Sequence, residues 1–424
     1  MFHDRRLHAA TADPRPPSAV SHGVGVAGLV GLGAWIATAR WFGMDGPYAA
    51  LTGIVACGVP MVLWSLLVDK VHRHATTGID WQAARPWRDA LDTACVKLAG
   101  LWFTWGAIAL VYATFRFYWD GPYTFAMATL GVTAPVVFLV SLPYVLWLDR
   151  YLVEPKDGAW ALGAWLIGVA PLDRAAVAGH ARAWAVKGFF LAFMIAIVPG
   201  GFGDFVRADL SAAWGDPVRL ANWLITLMFV IDVAFACVGY ALTLRPLDAH
   251  IRSANPHAAA WTAALICYPP FIMMDDGRPF DYRPGTAEWS HWMAGHPLLL
   301  TVTGAMLVAL TAVYAWATVA FGLRFSNLTH RGVLTHGPYA WSRHPAYLSK
   351  NLFWWISTMP VLSTGSMVDA ARATILLGVV SGIYYWRAKT EERHLSADPA
   401  YRRYSAWMDR RGAVPRLIRW MRGV

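Results

Sequence analysis

The sequence predicts an all-α fold, a polytopic membrane helical bundle of about ten transmembrane helices with both termini cytoplasmic. Three observations lead there. The 424 residues are 57% hydrophobic and only 15% charged, where a soluble domain carries about 25% charged residues. Apolar runs of near-bilayer length recur along the chain. Arginine and lysine gather in alternate loops between those runs, as the positive-inside rule requires.

The elements follow in order. The polar, proline-bearing leader 1–21 reads as a disordered cytoplasmic segment before an uncleaved first span. Spans are predicted over 22–42, 48–68, 97–114, 123–148, 184–199, 220–243, 258–274, 297–321, 346–362 and 370–386. The segment 258–274 carries Pro269-Pro270 and either crosses or re-enters. The run 159–170 is too short to cross and belongs at the interface or inside the bundle. With Arg5, Arg6 and Arg15 inside, the cytoplasmic loops hold most of the cations, among them Arg73, Arg150, Arg252 and Arg343. The opposite loops hold Asp45, Asp120, Asp204 and Asp275.

Two DGPY turns, at Asp45 and Asp120, precede the second and fourth spans, with Pro fixing φ as each helix starts. Their flanks are similar enough to suggest two hairpins converging on one turn, or a duplication. The net charge of +10 is explained by membrane orientation and anionic lipid, so no nucleic-acid partner is expected. Cys57, Cys95, Cys237 and Cys267 have no paired spacing and read as apolar fillers. Asp232, inside LMFVIDVAFACVGY, is the clearest intramembrane acid. It is functional, pairs with Lys187, or meets a buried hydroxyl. The acids and histidines of loop 273–296 match no tight metal-ligand spacing, and no metal is expected.

The chain thus divides into the leader (1–21), an N-terminal transmembrane scaffold (22–296) and a C-terminal membrane unit (297–424). In that last unit, HGPYAWSRHPAYLSKN opens the span 346–362, and a short link leads to the return span 370–386. Each arm of about 17 residues rises roughly 25 Å, close to one hydrocarbon thickness. An antiparallel hairpin therefore returns Glu391 and Glu392 to the membrane face that holds Arg343, His344 and Tyr347. Arg343 and His344 would donate, Glu391 and Glu392 accept, Tyr339, Trp341 and Tyr347 supply aromatic walls, and Gly337 permit close backbone approach. Such a site suits a ligand with a flat ring, a zwitterionic end and a positive centre.

These residues resemble the isoprenylcysteine carboxyl methyltransferase family, to which phosphatidylethanolamine N-methyltransferases are similar. The resemblance rests on Gly337-Pro338-Tyr339, Arg343-His344-Pro345-Ala346-Tyr347, Glu391-Glu392, Tyr401 with Tyr404, and Val414-Pro415-Arg416, over roughly 328–418. It implies an S-adenosylmethionine-dependent methyltransferase with a lipid-soluble or membrane-delivered small acceptor. Gly337, Tyr339, His344, Tyr347, Glu391 and Glu392 would hold the cofactor. Arg343 and Glu392 would act in catalysis, and Arg343, Asn351 and Arg416 would meet the acceptor. Ser349 and Lys350 stand where the family has Gly, and Asp398-Pro399 where it has Phe-Gly. Lys350 there either snorkels to the interface or shapes a different acceptor pocket.

Two other readings compete. Sterol reductases, which use NADPH, look similar around Arg-His-Pro-x-Tyr, but they tend toward Arg-Asp-Glu rather than Glu-Glu. A transporter or assembly protein could be built on the N-terminal spans. The bias of Arg over Lys points to a bacterial cytoplasmic membrane with the site facing the cytoplasm. Membrane lipids are expected partners, and the sequence leaves oligomeric state, acceptor and methylated atom open.

Overall fold

The structure, a computed structural model, describes residues 15–422. Among the described residues, eight helices are long and apolar enough to cross a membrane, and helices dominate the fold. The chain forms α1 (His22–Phe42), α2 (Pro47–Leu63, continued by a π turn to Val68), α3 (Trp87–Thr114), α4 (Tyr123–Asp149) and α5 (Gly158–Leu166). It continues as α6 (Arg174–Arg207), α7 (Leu210–Trp214) and α8 (Pro217–Ala241). After β1 (Ser253–Ala254), α9 (Ala258–Leu265) and α10 (Trp289–Trp292), α11 (Pro297–Phe321) begins the C-terminal unit. There β2 (Thr329–His330) leads to α12 (Pro345–Thr358), α13 (Met367–Leu395), α14 (Pro399–Arg411) and α15 (Ala413–Arg422).

Local chemistry sets the boundaries. Gly43 takes a left-handed φ of 65° and stops α1, and Pro47 of the first DGPY turn starts α2. Asp157, Asp173, Asp209 and Asp216 each accept backbone N–H groups at a helix start. The run at 159–170 yields α5, which lies close against α3: a Cβ on Gly163 would fall 1.8 Å from the Val96 carbonyl. Lys97 is buried between Asp149 at 2.6 Å and Asp157 at 3.3 Å, joining α3, α4 and the start of α5. Asp232 accepts the Thr318 hydroxyl, while Lys187 lies over the Trp184 ring instead.

Two of the ten predicted spans do not form long helices. Over 258–274 only the eight-residue α9 is regular. The stretch 346–362 gives the 14-residue α12, roughly 21 Å long against a hydrocarbon core of about 30 Å. The chain nevertheless runs the full depth of the bundle in both places. Helices α8 and α11 are parallel: Gly304 packs beside Ala221 and Trp289 at one end. At the other end, Arg331 donates to the carbonyls of Gly239, Leu242 and Leu323. Strand β1 pairs with β2 at this second end, whereas Gly285 accepts from Ser363 at the first.

The segment 255–289 therefore passes from end to end with one short helix. Irregular backbone at such depth is tolerated only where protein covers it. Here local turns satisfy it, as in Phe271 N–H to Tyr268 O at 3.0 Å and Met273 N–H to Ile266 O at 3.1 Å. Tyr268 is packed by Phe190 and Phe193.

The end of the expected disordered leader is ordered. Ala19 N–H donates to Val333 O at 2.9 Å, Ser18 Oγ lies 2.6 Å from His336 Nδ1, and Thr335 Oγ1 donates to Pro16 O at 3.0 Å. Backbone pairing and a half-buried histidine hold this strap down. Residues 1–14 lie outside the described residues.

Candidate functional site

The site is built on the α12–α13 hairpin. Pro345 occupies the first turn of α12, where its missing N–H costs nothing, and His344 precedes it. A capping box between Ser366 and Asp369 starts α13, and Trp355 Nε1 donates to Ser381 Oγ at 3.0 Å to join the arms. Helix α13 has 29 residues, about 43 Å, so its last turns reach back past the start of α12.

The predicted acids and bases meet there. His344 Nε2 lies 3.1 Å from Glu392 Oε1, and His344 Nδ1 is 3.8 Å from Glu391 Oε2. The Tyr347 hydroxyl donates to Glu391, and its ring stacks on His344 at 5.7 Å with 3° between planes. Glu392 also receives Lys389 at 2.8 Å and faces Arg343 Nε at 3.6 Å. Arg343 reaches on to Ser405 at 2.7 Å and Asp409 at 2.8 Å, clamping α14 over the hairpin. Tyr404 donates to Tyr339 O at 2.7 Å from the same helix.

Tyr339, Arg343, His344, Tyr347, Glu391 and Tyr404 border a cavity of about 170 Å³ that runs from the mouth of the hairpin inward between α11, α12 and α13. Typical pockets for drug-sized ligands hold roughly 300–1,000 Å³, so a nucleoside-sized molecule would fill the open mouth as well. At the mouth, burial raises the hydroxyl pKa values of Tyr401 and Tyr404 and lowers that of the His330 imidazole. All three stay neutral near pH 7. The Tyr401 hydroxyl is buried without a hydrogen-bond partner among the described residues. Further in, the 3%-exposed Arg387 leaves its Nε without an acceptor among the described residues.

Of the residues named from sequence, Tyr339, Arg343, His344, Tyr347 and Glu391 line this cavity. Glu392 stands behind them and braces His344 and Arg343. Gly337 is a backbone requirement: its φ is 57°, and a Cβ would come 3.2 Å from Trp316 Nε1. Asn351 and Arg416 are not brought to the cavity. The Asn351 amide donates to Tyr347 O on its own helix at 2.8 Å, and Arg416 is exposed on α15. The side chains of Val414 and Pro415 lie outside the described residues. In loop 273–296, Asp275, Asp276 and Asp281 gather around Arg283.

Sequence reasoning missed several wall residues. Asn255 and Tyr268 enter from before residue 296, so the cavity is shared by the scaffold and the C-terminal unit. Asn327 accepts Arg387 Nη2 at 3.3 Å and donates to Tyr240 and Tyr268. Helical spacing could have found Arg387, which lies one turn before Glu391 on the same face.

Among known proteins, residues 297–397 match the family model described as the Isoprenylcysteine carboxyl methyltransferase (ICMT) family. Neither curated proteins nor solved structures give a match. The match spans α11, the Arg343–Tyr347 motif, the hairpin and the Glu391-Glu392 pair. The C-terminal part of this integral membrane protein is therefore similar to the isoprenylcysteine carboxyl methyltransferase family, in the region where its motifs predict that resemblance.

Proposed function

We propose that the protein is an S-adenosylmethionine-dependent methyltransferase acting on a lipid-soluble or membrane-delivered small acceptor. The observation that carries the reading is the closure of His344 on Glu392 and Tyr347 on Glu391 beside the cavity. The family match over the same segment supports a methyltransferase. The donor set fits the cofactor: a stacked imidazole–phenol platform, a carboxylate for an amine or a ribose hydroxyl, and an unpartnered Tyr401 hydroxyl.

In this reading Tyr339, His344, Tyr347 and Glu391 hold the cofactor, which supplies an electrophilic methyl group. Glu392 fixes the His344 ring, and Gly337 shapes the turn that carries Tyr339. Displacement at a methyl carbon demands alignment and exclusion of water more than proton transfer. The chain supplies both, with Arg343 holding α14 across the mouth and Tyr268, Tyr314 and Tyr384 walling the interior. Leu348 and Leu352 are exposed along α12 and suit lateral entry of an apolar acceptor from lipid. The Arg-rich loops at this end support a cytoplasmic mouth, both termini inside, in a bacterial cytoplasmic membrane.

The cationic lining gives a nicotinamide dinucleotide, with its phosphates, a rival claim. Membranes containing the protein, incubated with S-adenosylmethionine labelled in the methyl group, test the proposal. A labelled small product that disappears with Tyr347→Ala supports it. NADPH oxidation without label transfer overturns it.

A further inference from the structure

A second cavity, of about 250 Å³, lies at the same end of the bundle behind the strap. Its walls come from the strap, the start of α1, the π turn that ends α2, the loop 69–74 and Arg324. Two observations there point to a ligand. Ser65 is 3% exposed and lines the cavity, and its hydroxyl has no hydrogen-bond partner among the described residues. It sits in the π turn Trp64–Val68, a winding that occurs mostly as single turns and frequently at functional sites. The start of α1 supplies the second observation. Ser21 is its N-cap, but the Ser21 hydroxyl donates to Asp69 Oδ2 at 2.6 Å rather than to the helix, and the first turn holds no acid. The N–H groups of His22, Gly23 and Val24 therefore meet no capping side chain, and Ser21 and Val24 border the cavity.

Charge selects the sign of the occupant. Asp69 is the one carboxylate in the wall among the described residues, and Ser21 already engages it. Against it stand the Arg324 guanidinium in the wall, with Lys70 and Arg73 exposed on the neighbouring loop. Arg324 shares the single carboxylate of Asp248 with Arg252, at 2.8 and 3.4 Å, so that pairing leaves positive charge over. The positive end of the α1 dipole adds to it.

The strap also joins this cavity to the one at the hairpin. Arg324 lines both. Gly332, in the wall of the hairpin cavity, has a φ of 113°, and a Cβ there would fall 2.6 Å from both Ala19 Cβ and Arg324 Nη1. Ala19 lines the second cavity and donates its N–H to Val333, which lines the first.

We propose that the cavity behind the strap is an anion site that takes a phosphate group, and that its occupant holds the strap against the wall of the hairpin cavity. The first-turn N–H groups of α1, the Ser65 hydroxyl and the Arg324 guanidinium donate to the phosphate oxygens. This donor set suits a free phosphate ester and equally a phospholipid headgroup, which would arrive beside the exposed Leu67 and Val68. The site stands apart from the methyl-transfer reading, whose failure would leave it untouched.

The test uses full-length protein in dodecyl maltoside and phosphate-free buffer, stripped of lipid as checked by phosphorus assay. Calorimetric titration compares glycerol 3-phosphate, dihexanoyl phosphatidylglycerol and the phosphate-free dihexanoylglycerol. At least one phosphate-bearing probe should bind one to one, about tenfold or more tighter than dihexanoylglycerol, the scale of one charge-assisted hydrogen bond. Similar affinities for the two phosphates assign a free ester, and a gain of about tenfold for the lipid assigns a headgroup. Ser65→Ala should weaken the phosphate probe about tenfold, with the melting temperature of the unliganded protein unchanged. The saturating probe should also slow hydrogen exchange at the Ala19 amide. No saturable binding, equal binding of dihexanoylglycerol, or phosphate affinity untouched by Ser65→Ala overturns the site. Exchange at Ala19 that the bound probe leaves unchanged overturns its hold on the strap.

Discussion

His344 Nε2 and Glu392 Oε1 lie 3.1 Å apart although 48 positions separate the two residues. The contact exists because α12 and α13 fold back on each other. It joins the two halves of the motif on which the functional reading depends. Glu392→Gln removes the charge that His344, Arg343 and Lys389 share. S-adenosylhomocysteine affinity should fall about tenfold, as for loss of a hydrogen bond to a charged group. Unchanged affinity by calorimetry removes Glu392 from the site.

Tyr347→Phe separates two roles of one side chain. The stack on His344 remains, while Glu391 loses its hydroxyl donor. Cofactor binding should weaken by about 0.5–1.5 kcal/mol, with the unfolding temperature unchanged. A variant that binds as tightly as the wild type would make Tyr347 a wall and nothing more.

Arg331 governs stability rather than chemistry. It is 3% exposed and donates to the carbonyls of Gly239, Leu242, Ala249, Leu323 and Phe325, holding the ends of α8 and α11 together. Arg331→Met should cost about 3 kcal/mol or more by leaving several buried acceptors unsatisfied. Arg331→Lys should not restore it, since an ammonium cannot reproduce the planar fork. A melting temperature equal to the wild type's in detergent contradicts this role.

The strap at 15–21 should be sensitive to acid. Burial, reinforced by His22, lowers the pKa of His336 from 6.5 to about 4, so the folded strap keeps this imidazole neutral. A depressed histidine contributes stability that is complete above its unfolded pKa. That contribution is lost as pH falls from 6.5 toward about 4, because the unfolded form binds the proton more readily. Hydrogen exchange at the Ala19 amide, corrected for intrinsic rate, should therefore quicken across that window. Protection independent of pH, or an identical profile in His336→Gln, counts against the mechanism.

Much of this was legible in the sequence. Arg343, His344, Tyr347, Glu391 and Glu392 sit at the ends of two apolar runs joined by a short link, and helix geometry alone returns them to one place. The crossing at 255–289 was harder, because its hydropathy resembles a span while its backbone turns locally and relies on Phe190 and Phe193 for cover. Asn255 and Tyr268 reach the cavity only through that irregular path. Arg387 stands in a charged stretch with Lys389, Glu391 and Glu392, which gives no sign of burial in the sequence. Only the packing of α13 against the Tyr268 segment shows that it is buried. Asn351 shares the helix face of Tyr347 but turns its amide back onto the Tyr347 carbonyl, and Arg416 stands exposed on the tail helix, so neither lines the cavity.

The central claim, that the hairpin mouth is a methyl-donor site, is tested most directly by titrating purified protein with S-adenosylhomocysteine and, separately, with NADPH. The account predicts saturable one-to-one binding of S-adenosylhomocysteine, weakened by Glu392→Gln, and no comparable binding of NADPH. Tight NADPH binding with no measurable heat from S-adenosylhomocysteine would contradict it.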